Sequence, residues 1–177
     1  MSKFVWIVDA SYLMKQKPGH FDYFKLKQVL EKECGGEFVD SFYLNSVSDL
    51  PTEGQNSFHT WLKLAPPNGP KMRVKLYNFK DLKSECPECH HQFAREVQKG
   101  VDVGIATLIV KLAAQNRYTR LVLSAGDGDF EDAIAYAKEE LNKEIWITGF
   151  QETISPDLQS YADKVLWLED YWDDFKK

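Results

Sequence analysis

Cysteine is scarce in this sequence. Cys34, Cys86 and Cys89 are the only three in 177 residues. An odd, sparse set excludes the paired disulfide framework of a small secreted domain. Long apolar runs are also missing. Nothing approaches the roughly 20 apolar residues of a membrane span. The N-terminal run Phe4-Val5-Trp6-Ile7-Val8 is too short for the apolar region of a signal sequence. The expectation is a cytoplasmic protein with no membrane partner. An excess of positive charge is absent as well. A formal net charge of −5 argues against an extended basic surface for duplex DNA, though it leaves room for a local basic strip. There is no internal repeat and no low-complexity tract.

Aromatic side chains, by contrast, are plentiful: five Trp, eight Tyr and eleven Phe. They suffice for a sizeable core without cross-links. The length fits a single domain spanning residues 1–177.

Short β-like runs alternate with helical ones. Phe4 to Val8 is continuously apolar, as expected of a strand covered on both faces. Phe21 to Glu33 has helical spacing, with Phe24, Val29 and Leu30 on the apolar face, and Gly35-Gly36 stops it. Phe38 to Leu44 and Met72 to Phe79 read as strands, with a short helix from Ser57 to Leu64 between them. The polar stretch 80–99 reads as a loop or small Cys-containing appendage. A strong helix follows, Val101 to Gln115, then a strand, Leu121 to Leu123. Asp129 to Leu141 is a helix with Phe130, Ala133, Ile134, Ala137 and Leu141 on one face. Glu144 to Thr148 is a strand. Ser155-Pro156 starts a helix, since Ser caps and Pro suits the first turn. Val165 to Leu168 is the last strand. This alternation predicts an α/β fold with a mostly parallel central sheet. Ligands of such sheets bind at the carboxyl ends of the strands.

Aspartates occupy those ends. Asp9 follows Val5-Trp6-Ile7-Val8. Asp127 and Asp129 follow Leu121-Val122-Leu123, in Ser124-Ala125-Gly126-Asp127-Gly128-Asp129-Phe130. Asp102, in Lys99-Gly100-Val101-Asp102-Val103, starts a helix whose apolar positions Ile105, Ala106, Ile109, Leu112 and Ala113 fall at +3, +4, +7, +10 and +11. That phase predicts an inward-facing Asp102, which needs a partner. Gly126 and Gly128 suggest a tight turn that aims the side chain of Asp127. Each acid near a helix start also fits an ordinary cap or dipole partner. Two carboxylates about 4 Å apart, however, repel by roughly 4 kcal/mol at an effective dielectric near 20. A converging set calls for a counter-charge, and a hard divalent cation with oxygen ligands, Mg²⁺ or Mn²⁺, suits it. Lys99 is a nearby cation.

Lys99-Gly100-Val101-Asp102-Val103, the segment Ser124 to Phe130 and a first strand ending in Asp9 resemble the NYN domain, a branch of the PIN-like nucleases, and most of all its LabA-like members. The resemblance extends over nearly the whole chain. It includes Ile145-Trp146-Ile147-Thr148-Gly149 and the segment from Leu158 to Val165. It implies a Rossmann-like three-layer domain and metal-dependent endonucleolytic hydrolysis of single-stranded or structured RNA. It places the metal ligands at Asp9, Asp102, Asp127 and Asp129, with Lys99 assisting catalysis. Ser11, Tyr12 and Ser124 are the neighbouring candidates for substrate binding. The chain departs from the family pattern at Tyr12, where members often carry Asn, and at Leu108, where many carry a second acid. Those departures favour an alternative, a regulatory RNA-binding domain without turnover. A phosphatase of the haloacid-dehalogenase type also places Asp after its first strand, but wants another Asp where this chain has Ser11.

Cys86-Pro87-Glu88-Cys89-His90-His91 supplies two ligands of a structural Zn²⁺ site. His90 or His91 could add a third, and Cys34 or a second chain the fourth. The alternative is a surface loop with two free thiols. Tyr12, Phe21 and Tyr23 are candidates for stacking bases at the mouth of the acidic site. Phe24 reads as core. Arg73 and Lys75 fall on one side of an edge or half-exposed strand. Trp167 to Phe175 is a packing tail or a self-association surface, the latter consistent with a homodimer.

Overall fold

The computed structural model describes residues 1–97 and 100–177. Six parallel strands form the central sheet: β1 (Phe4–Asp9), β2 (Phe38–Val47), β3 (Arg73–Asn78), β6 (Arg120–Ser124), β7 (Glu144–Gly149) and β8 (Lys164–Trp167). They lie in the order β3-β2-β1-β6-β7-β8, and a separate antiparallel hairpin pairs β4 (Lys80–Glu85) with β5 (Gln92–Val97). The helices are α1 (Ala10–Gln16), α2 (Tyr23–Cys34), α3 (Glu53–Lys63), α4 (Val101–Ala114), α5 (Glu131–Ala135), α6 (Pro156–Tyr161) and α7 (Trp172–Phe175). Strand order reverses at β1, whose neighbours are β2 on one side and β6 on the other. A crevice beyond the carboxyl ends of the strands is expected at that reversal.

The local chemistry accounts for the elements. Every residue of β1 is buried, so its continuous apolar run is covered on both faces. Asp22 caps α2 by accepting the N–H groups of Phe24 and Lys25, and Gly35 ends that helix at φ +79°, a left-handed value suited to glycine. The buried stripe of α2 is Tyr23, Leu26, Leu30 and Cys34, with Phe24 and Val29 half-buried beside it. Thr52 and Gln55 form a capping box that starts α3 four residues before the predicted Ser57. Ser155 and Pro156 start α6 as expected. The predicted helix after Asp129 runs as a 3₁₀ turn, α5 and a π turn, with Phe130, Ala133, Ile134 and Ala137 buried and Leu141 half-buried.

Three elements differ from the sequence reading. The stretch read as a loop or appendage contains the β4–β5 hairpin. Strand β2 continues past Leu44 to Val47, because β3 pairs with it through Ser46 and Val47. The segment directly after Asp9 is α1. The tail is a packing element. Phe175 is fully buried, and its ring meets Phe21 edge-on at 5.7 Å and Trp172 at 5.1 Å. Arg73 and Lys75 are exposed on β3, an edge strand, and Arg73 pairs with Asp40 at 3.0 Å. Among the described residues, no helix is long and apolar enough to cross a membrane.

Candidate metal centre

Asp9 is the last residue of β1 and the N-cap of α1, its Oδ1 accepting the N–H of Tyr12 at 3.3 Å. It is only 7% exposed. Burial raises its pKa to about 6, with Asp102 and Asp127 adding to the rise and the Tyr12 N–H and Lys15 opposing it. Asp127 caps the turn after β6, where its Oδ1 accepts the N–H of Asp129 at 2.9 Å. Asp102 stands in the first turn of α4. Partial burial of its carboxyl, then the charges of Asp127 and Asp129, push its pKa up.

Carboxylate oxygens of Asp102, Asp127 and Asp129 lie within 4.8 Å of one another. Asp9 is outside that set but close enough to feel two of its members. Thus α4 and the turn after β6 deliver three acids to the carboxyl end of the sheet, beside the fourth at the end of β1. Among the described residues, none of the four is ion-paired with Lys or Arg at 4.0 Å or less. The amino ends of α1 and α4 add partial positive charge beside Asp9 and Asp102, which offsets only part of the repulsion. An all-oxygen set of this kind fits a hard divalent cation such as Mg²⁺ or Mn²⁺.

Several expectations need correction. Asp102 is exposed, not inward-facing; the buried stripe of α4 is Val101, Ile105, Leu108, Ile109, Leu112 and Ala113. Asp102 borders that stripe, and its partners are the other acids. Tyr12 does not stack at the mouth of the site. Its ring is buried, with its hydroxyl bonded to Thr153 and to the Phe150 N–H. Phe21 and Tyr23 are buried core residues as well. Ser124 is fully buried and accepts the indole N–H of Trp6 at 2.9 Å, so it does not meet substrate. Gly126 and Gly128 do not adopt positive φ. A Cβ at Gly126 would stand 2.3 Å from the Thr153 carbonyl oxygen and 2.6 Å from the Tyr12 ring; glycine is there for room. Lys99 lies outside the described residues.

A feature the sequence does not announce adjoins α1, the helix that Asp9 caps. A cavity of about 470 Å³ is lined by Ser11, Lys15, Asn45, Ser46, Phe58 and His59, among others. Ser46 and His59 are both more than nine-tenths buried, yet among the described residues Ser46 Oγ and His59 Nδ1 have no hydrogen-bond partner. A strand from Phe38 to Leu44 stops short of Asn45 and Ser46, which the observed β2 includes. The cue was the polar pair itself, set in a strand between Leu44 and Val47.

The family model described as "NYN domain" matches residues 4–169. Among solved structures, a protein of unknown function from Vibrio parahaemolyticus superposes with a TM-score of 0.72 at 23% identity, covering 99% of this chain and 96% of its own. That likeness shows the fold. Among curated proteins, none matches the chain.

Proposed function

This chain belongs to the NYN domain family, a group of PIN-like nucleases, and on that footing we propose that it is a metal-dependent endoribonuclease acting on single-stranded or structured RNA. The observation that carries the proposal is the convergence of Asp102, Asp127 and Asp129 within 4.8 Å, beside the buried Asp9, at the reversal of strand order.

In this reading Asp102, Asp127 and Asp129 hold the cation, with Asp9 completing the acidic wall. A bound Mg²⁺ or Mn²⁺ would neutralise phosphate charge and lower the pKa of a bound water. Asp9, with a pKa near 6 before any cation binds, can hold a proton on the oxygen that does not cap Tyr12. The Lys15 ammonium, near Asp9 and Asp102, balances a phosphate on the strand passing the site. The adjoining cavity suits one nucleotide: Phe58 offers a stacking face, and Asn45, Ser46 and His59 offer polar groups to a base edge. Lys99 keeps its assisting role on the resemblance alone, as does the LabA-like subtype, while a cytoplasmic location rests on the sparse cysteines of the sequence.

A second reading is a regulatory RNA-binding domain without turnover. One observation favours it. Leu108, where many relatives carry an acid, is a buried apolar residue, 5% exposed, and offers no oxygen. Cleavage of labelled single-stranded RNA with Mn²⁺ decides between the two. Wild type should cut, and Asp127→Asn should not while keeping the wild-type circular dichroism spectrum. A wild type no faster than that variant selects the binding domain.

A further inference from the structure

The tip of the β4–β5 hairpin is built for a task that the acidic site does not explain. Cys86 donates its N–H to the His91 carbonyl at 2.9 Å, and His90 donates to the Cys86 carbonyl at 2.9 Å. His90 takes the left-handed value φ +57° to close the turn. The closed turn aims the backbone N–H groups of Glu88 and Cys89 at the Cys86 sulfur and brings the Cys89 thiol against it. Two adjacent sulfurs on a turn with N–H donors form one half of a tetrahedral zinc site, which in structural sites takes four protein ligands.

Among the described residues the same hairpin does not supply the other half, since neither His90 nor His91 brings a ring nitrogen up to the two sulfurs. The His90 Nδ1 is engaged by Glu85 at 3.0 Å. The His91 ring stacks on Phe93, with centroids 6.5 Å apart. Cys34 is buried at the end of α2, where its carbonyl accepts from Arg120 at the start of β6. That is the amino end of the sheet, whereas the hairpin departs from the carboxyl end of β3, so the expectation of Cys34 as a ligand fails. Among the described residues, no third His, Cys, Asp or Glu gathers with the two sulfurs.

We propose that Cys86 and Cys89 are half of a Zn²⁺ site completed by the same two cysteines of a second copy of the chain, so that one ion clasps two hairpin tips. A two-fold axis through the metal makes the two halves equivalent. The four thiols give up their protons as four sulfur–zinc bonds form. The tip is accessible, with Cys89 exposed and Cys86 partly so. Phe93, 44% exposed beside it, is an apolar surface that the second tip can cover. Ligand softness keeps the two metals apart, since thiolates select Zn²⁺ and the carboxylate site suits Mg²⁺ or Mn²⁺.

The test uses the whole protein, reduced, reconstituted with Zn²⁺ in excess Mg²⁺ and separated from free metal. Metal analysis and light scattering should give one zinc per two chains in a dimer. Chelation should return a monomer. The Cys86→Ser/Cys89→Ser variant should be monomeric and zinc-free with the wild-type circular dichroism spectrum. Co²⁺ in place of Zn²⁺ should show thiolate charge-transfer and tetrahedral ligand-field bands in wild type alone, which separates this site from the carboxylates. Protein without thiolate-bound metal, one zinc per chain in a monomer, or a dimer that survives chelation each overturns the clasp.

Discussion

The Tyr12 hydroxyl accepts the backbone N–H of Phe150 at 3.0 Å and is also hydrogen-bonded to Thr153. Tyr12 lies three residues after Asp9, and Phe150 directly follows β7, so one phenol ties the first acid's helix to a loop beyond the opposite half of the sheet. Tyr12→Phe keeps the ring and removes the tie, leaving a buried N–H unsatisfied. The expected cost is about 1–3 kcal/mol, read as a lower denaturation midpoint in urea at unchanged slope. An unmoved midpoint would show that the tie contributes nothing to stability.

Gly149 is the counterpart of that tyrosine. A Cβ there would stand 2.2 Å from the Tyr12 hydroxyl oxygen. Gly149→Ala should destabilise by roughly 1–3 kcal/mol through overpacking. Combined with Tyr12→Phe, the alanine should cost clearly less than it does alone, because the atom it meets is gone. Additive losses in the double variant would mean that the strain lies elsewhere.

Asp9 makes stability depend on pH with a definite sign. Its folded pKa of about 6 lies above its ordinary 3.8. Between those values the folded chain binds more protons than the unfolded one, so stability falls as pH rises through that window. The full cost, about 3 kcal/mol from the size of the shift, is reached above pH 6 in the metal-free protein. Asp9→Asn retains a capping oxygen and removes the charge. It should melt higher than wild type at pH 7.5 without metal and at the same temperature near pH 3.5. A variant no more stable at pH 7.5 would contradict the burial of a charged Asp9.

Cation binding should reverse that cost. Mn²⁺ should raise the melting temperature of wild type, increasingly with concentration as mass action requires. Asp102→Asn and Asp127→Asn should each blunt the response, and the cysteine double variant should retain it in full. Equal stabilisation of wild type and both aspartate variants would separate the acids from the metal.

The framework was legible because its signals are local. Phe4 to Val8, Leu121 to Leu123 and Glu144 to Thr148 are apolar runs bounded by polar residues, and Asp9 and Asp127 stand just past two of them. Fully buried strands announce themselves that way. The hairpin did not, since Lys80 to Glu85 and Gln92 to Val97 lie outside the central sheet and carry no apolar run. Helix α1 has too few residues to show a period. The role of Tyr12 was out of reach for another reason: its partners are Phe150 and Thr153, 138 and 141 positions away. The same holds for Ser124, whose polar neighbour Trp6 lies 118 residues earlier. A side chain's neighbourhood is set by topology, which no window of sequence contains.

The position of Phe175 also has a consequence in time. Its buried ring fills the space beside Phe21 and Trp172, and its carbonyl accepts the N–H of Asp22, the residue that caps α2. During synthesis, the layer around α2 therefore waits for residue 175 to leave the ribosome. The sheet can assemble from β1 outward before then, but the face carrying Phe21 stays open to solvent. A nascent chain halted at residue 167 should expose that aromatic face to chaperones, and the face closes once residue 175 is free to pack against Phe21.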